Sequence, residues 1–268
     1  MPILYNFLKG FVISQWWISL GGGFLSYAYF KVFQMDKGWL HAAYIASCIF
    51  LLYTFQRLYK IQTNTSNPKR LHWYAKYIHF IYGSIFTALL VVGFASFYLE
   101  FTLDYLLVNL LMGILAVAYI VPIFGLPLRK IPVLKIFLVA FVWTFFLFLP
   151  TDFHWNQFDF KWMGLMVLFF IAITIPFDIR DYRLDPLSMK TIPQMVGVNY
   201  AKWLAVSLML MVYFGLHFLI PQHFGSLIWL MIFMFFLFQK KIYHAFILHS
   251  LVFDGMILYL GLALYCIS

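Results

Sequence analysis

Apolar residues run in long stretches along this chain, broken by short clusters of charge and turn-forming residues. The stretches fall near 11–33, 39–57, 75–98, 104–123, 132–150, 161–177, 202–220, 225–239 and 243–266. Most hold close to the roughly 20 apolar residues that a helix needs to cross a bilayer's hydrocarbon core; the eighth is short. The pattern predicts an all-α fold, a polytopic transmembrane helical bundle of about nine spans. Nothing is left over for a separate soluble domain, so residues 1–268 read as a single integral membrane domain. The first stretch follows only one charged residue, Lys9. It continues through Trp16, Trp17 and Gly21-Gly22-Gly23 with no small-residue cleavage site, so no cleavable signal peptide is expected.

Composition agrees. A mean hydropathy of +0.90 and an aromatic share of 22% exclude an ordinary soluble domain. The net charge of +9 is a topology signal and not a nucleic-acid footprint. With nine spans, one side of the membrane carries every Lys and Arg except Lys31, Lys37 and Lys161. The other side also holds Asp36, Glu100, Asp104, Asp152 and Asp159. The positive-inside rule then sets the N-terminus in the cytoplasm and the C-terminus outside, as in a bacterial inner-membrane protein. Cys48 and Cys266 lie in apolar stretches far apart and read as small hydrophobes, not as a disulfide or metal pair.

Against this background one segment stands out. Phe177-Asp178-Ile179-Arg180-Asp181-Tyr182-Arg183-Leu184-Asp185 holds three of the chain's nine acidic residues. On a helix, Asp178, Asp181 and Asp185 share one face. Hard divalent cations take such oxygen ligands, and Mg2+ is commonly shared between carboxylates and substrate phosphates. Pairing with Arg180, Arg183 or Lys190 in a cytoplasmic ion network is the competing reading.

The triad, followed by Lys190-Thr191-Ile192-Pro193 and Gly197, resembles the second aspartate-rich motif of the UbiA superfamily of intramembrane prenyltransferases. Tyr119-Ile120-Val121-Pro122 with Leu128-Arg129-Lys130-Ile131-Pro132 and Lys135 is similar to the region after span four in that family. The resemblance implies a bundle around a cavity that opens toward lipid. It further implies that a polyprenyl diphosphate is bound through Mg2+, and that its prenyl group passes to a lipophilic acceptor such as a quinone precursor, a phenol or a lipid. It assigns Asp178, Asp181 and Asp185 to the metal, and Tyr119 and Lys130 to the substrate.

The first motif of the family, Asn-Asp-x-x-Asp-x-x-x-Asp, departs sharply here. Laid over residues 53–61, its aspartate positions are filled by Thr54, Arg57 and Ile61. Three readings of Arg57 stay open. With Lys60, it replaces a metal and holds phosphate oxygens directly. It pairs with the triad and closes a dead site. Or it is a plain topology charge beside a polar loop, 62–70. The cofactor expectation is accordingly a single Mg2+, or none in an inactive protein.

Asp254 lies near the middle of the last stretch, where a carboxylate is costly unless paired or hydrated. It reads either as an acceptor-binding or proton-accepting group or as a partner for a neighbouring helix. Many of the aromatic residues sit where interfacial belts would put them, and none is assigned to chemistry. The leading expectation is a prenyltransferase. The alternative is a non-catalytic relative that binds an isoprenoid or lipid or serves as an assembly partner; a transporter or channel ranks below both.

Overall fold

The computed structural model describes residues 2–63, 68–122, 125–186, 189–220 and 225–266. Part of the polar loop at 62–70 lies outside them. The described residues form thirteen α-helices and a few 3-10 turns. The helices are α1 (Pro2–Ile13), α2 (Trp16–Val32), α3 (Gly38–Gln62), α4 (Pro68–Lys76), α5 (Ile78–Tyr98), α6 (Leu103–Ala118) and α7 (Leu134–Phe148). They continue with α8 (Phe160–Asp181), α9 (Ile192–Val196), α10 (Val198–Leu219), α11 (Gly225–Phe238), α12 (Phe246–Phe253) and α13 (Gly255–Tyr265).

Each of the nine apolar stretches coincides with helix. Five helical segments are long and apolar enough to cross a membrane: α3, α5, α8, α10 and the continuous run Phe246–Tyr265. Two stretches are not regular throughout. The first breaks at Gln15, whose φ of 73° is left-handed, so α1 stands apart from α2. The last is marked only by a local irregularity at Asp254, between α12 and α13, where the backbone stays right-handed helical (φ −68°, ψ −31°) and the run continues.

The helices pack in a closed circuit, α2–α3–α6–α7–α8–α10–α11–α13 and back to α2, with α5 laid against α3. Small residues set the crossing of α2 and α3. A Cβ on Gly23 would stand 2.6 Å from Ala46 Cβ and 2.9 Å from Ala42 O, and one on Gly22 would meet Ile49 and Trp143. Membrane helices, whose association gains little from the hydrophobic effect, approach through such positions. α8 is the most buried of the long helices, with Trp162, Phe169 and Phe170 in the main core. α5 and α6 are the reverse: Phe86, Leu90, Phe97, Leu106 and Leu110 are exposed on them, as a lipid-facing surface requires.

Candidate functional site

Asp159 caps the start of α8, its Oδ1 accepting from the backbone N–H groups of Lys161 and Trp162, both at 3.0 Å. The helix runs past Pro176 and ends at Asp181, so Asp178 and Asp181 are helical and Asp185 is not. The expected three-carboxylate helix face is therefore corrected. A turn carries Asp185 back, its N–H donating to Asp181 O at 2.9 Å. Gln194 in α9 fixes that turn. Its Oε1 accepts from Thr191 N–H at 3.0 Å, and its Nε2 donates to the carbonyl of Asp185 at 3.0 Å. The Thr-Ile-Pro-Gln stretch is thus a helix start that holds the third aspartate, and Gly197, at φ 84°, lets α9 bend into α10.

The partners of the triad come from elsewhere. Lys135 Nζ lies 2.7 Å from Asp178 Oδ1 and 3.1 Å from Asp185 Oδ2. Arg180 forks onto Asp181, with Nε 2.7 Å from Oδ1 and Nη2 2.9 Å from Oδ2. Its third nitrogen, Nη1, is 3.5 Å from His249 Nδ1, while His249 Nε2 is 3.2 Å from Pro176 O. A neutral imidazole with its proton on Nε2 satisfies both contacts, donating to the carbonyl and accepting from the guanidinium. Of the expected network partners, Arg180 takes part; Arg183 and Lys190 form no ion pair with the triad.

A cavity of about 560 Å³ opens in front of these carboxylates. The residues assigned to metal or substrate in the sequence line it: Arg57, Lys60, Tyr119, Lys130, Asp178, Asp181, Asp185 and Asp254. Arg57 and Lys60 belong to α3, which extends five residues beyond Arg57. Arg129 and Lys130 arrive on a 3-10 turn held by Arg129 N–H donating to Tyr119 O at 3.3 Å. Arg57 makes no ion pair with a carboxylate among the described residues, so the closed Arg57–aspartate cluster is not formed. The cavity is bounded by six basic and four acidic side chains.

A second, apolar chamber of about 230 Å³ lies between α3, α6 and α7. Tyr53, Gln56, Tyr119, Val139 and Trp143 border both spaces. Gln56 Nε2 donates to Ala116 O at 2.9 Å, which ties α3 to α6 at the junction.

No protein-family model matches the chain, and no curated protein matches it. A solved structure of a UbiA homolog from Archaeoglobus fulgidus bound to GPP and Mg2+ does match, with a TM-score of 0.53 and 12% identity. The alignment covers 97% of this chain and 98% of that one. The chain has a UbiA-like fold.

Seen in the UbiA-like frame, the acidic wall differs from a metal centre. Among the described residues no three His, Cys, Asp or Glu side chains gather as a metal ion would need. Both oxygens of Asp181 are engaged by Arg180, and Lys135 stands between Asp178 and Asp185. As arranged, this donor set does not suit a divalent ion, which would need those oxygens at about 2.0–2.1 Å in the case of Mg2+.

Lys135 and Arg129 stand in the sequence only as members of the span-four motif, with no role assigned; the structure sets Lys135 against Asp178 and Asp185 and puts Arg129 in the cavity lining. Lys135 is in the first turn of α7, where the helix dipole disfavours a cation. Just before it, Val133 holds a φ of 64°, rare for a β-branched residue, in a tight turn closed by Leu134 N–H to Pro132 O at 2.7 Å. The UbiA-like bundle thus carries two local irregularities on the element that presents this ammonium to the triad.

Proposed function

We propose that this UbiA-like membrane protein binds an isoprenoid diphosphate and transfers its prenyl group to a lipophilic acceptor: a quinone precursor, a phenol or a lipid. The observation that carries this reading is the pair of adjoining chambers of opposite character. The charged cavity suits a diphosphate, and the apolar chamber suits a hydrocarbon chain. The UbiA homolog of the same fold is bound to GPP and Mg2+, which supports the ligand class.

In the proposed reaction the allylic C–O bond breaks and its electron pair leaves with the diphosphate. Arg57, Lys60 and Lys130 surround the leaving group and stabilise the charge that develops on it. Lys135 and Arg180 are held in place by Asp178, Asp181 and Asp185. Tyr119 stands where the two spaces meet. The acceptor supplies the electron pair of the new bond and loses a proton, for which Asp254 is the receiving carboxylate in the cavity. The excess of Lys and Arg on the cavity's side supports a cytoplasmic face there, in a bacterial inner membrane with the N-terminus inside.

The test is incubation of purified protein with GPP, with longer prenyl diphosphates and with a panel of aromatic and lipid acceptors. Prenylated product by mass spectrometry and released diphosphate are expected. Absence of both across the panel would overturn transfer. A second reading, a non-catalytic isoprenoid- or lipid-binding protein or assembly partner, is favoured by one observation: the chain's own cations already engage all three aspartates. It predicts binding of the same diphosphates without turnover.

A further inference from the structure

The acidic wall of the cavity is occupied by cations that belong to the chain. Lys135 Nζ lies within 3.1 Å of both Asp178 and Asp185, the place a bridging ion would need. A metal ion and this ammonium cannot both hold the two oxygens. The forked contact of Arg180 engages both oxygens of Asp181. In α3 the aspartate positions of the first motif are Thr54, Arg57 and Ile61, so that helix brings no carboxylate to the cavity, whose fourth acid, Asp254, comes from between α12 and α13.

What faces the cavity instead is basic. Arg57 lines it without an ion-pair partner among the described residues. Arg129 also lines it, and its buried Nε has no hydrogen-bond partner among the described residues. Guanidinium groups match phosphate oxygens two at a time. The cavity's six basic side chains exceed its four acidic ones by two. That surplus opposes the charge of a diphosphate without any added ion, and a divalent cation would enlarge it.

We infer that the protein binds its diphosphate without a divalent metal: Lys135 stands where the ion would be, and Arg57 and Arg129 grip the phosphate oxygens. The inference rests on the reading above that the ligand is an isoprenoid diphosphate.

Calorimetric titration of GPP into the full chain in lipid nanodiscs tests it, once with EDTA and once with Mg2+. The two dissociation constants are expected to agree within about twofold. Binding that EDTA abolishes and Mg2+ restores would overturn the inference and leave the diphosphate reading standing. No binding in either buffer would overturn both. Arg57→Ala is expected to weaken GPP binding at least about tenfold, equally in the two buffers, as loss of a charge-assisted contact implies. Unchanged affinity would count against direct contact. Lys135→Met releases Asp178 and Asp185 and is expected to make GPP binding depend on Mg2+. Should that variant fail to fold, the wild-type comparison and Arg57→Ala still decide the matter.

Discussion

At the scale of single residues, the pairing of Lys135 with Asp178 is the contact on which the site is built. Asp178 is 2% exposed, and the Lys135 side chain 18%. Removing one member of such a pair strands the other, at a cost of about 3–5 kcal/mol. Lys135→Met, which strands the buried Asp178, is therefore expected to lower the thermal midpoint followed by circular dichroism. Combining it with Asp178→Leu should recover most of the loss, because the deeply buried charge is then gone and Asp185, the lysine's other partner, is more exposed to water. Recovery below half would mean that the pair is not the main source of the effect. The aspartates themselves were legible in the sequence, since so few acids occur in so apolar a chain. The partners of Lys135 were not. That lysine lies 50 positions before Asp185, at the start of α7, and the motif it belongs to in the sequence does not say which side chains it meets.

At the scale of elements, hydrophobic stretches were a good guide to where helices lie and a poor one to where they break. Gln15, left-handed at φ 73°, interrupts an apolar stretch that carries no glycine or proline at that point. Pro176 shows the opposite failure: a residue that commonly ends or kinks a helix sits inside α8, which continues to Asp181. The Gly21-Gly22-Gly23 run acquires a function in packing, because α2 crosses α3 there. Gly23→Val is expected to destabilise the fold by about 1–3 kcal/mol, since Ala46 and the backbone of Ala42 leave no room for the added carbons. Gly113 in α6 is the control. A Cβ there meets nothing within 4 Å, so a side chain should be accommodated without loss of stability.

For the whole molecule, the closed circuit of helices encloses a charged space and an apolar one that share a border at Tyr53, Gln56, Tyr119, Val139 and Trp143. The basic residues of the charged space, Arg57, Lys60, Arg129, Lys130, Lys135 and Arg180, all belong to the side that the charge bias along the sequence sets apart. The apolar chamber had no such signature, because its lining residues are of the same types as those that face lipid. Gly113 borders that chamber, and Gly113→Phe is expected to fill part of it. Competition binding should then show a larger loss of affinity for long-chain prenyl diphosphates than for GPP. Equal losses for all lengths would place the chain elsewhere.

The ammonium of Lys135 is bonded, through its side chain, to the backbone of α7. A free ion can depart together with the anion it helped to release, whereas a lysine stays behind. If the proposed diphosphate binds here, its exit would proceed by breaking contacts to fixed charges one after another. Dissolved salt competes for every one of those contacts. The departure rate of diphosphate, followed by stopped flow, is expected to rise with ionic strength and to be indifferent to the supply of Mg2+.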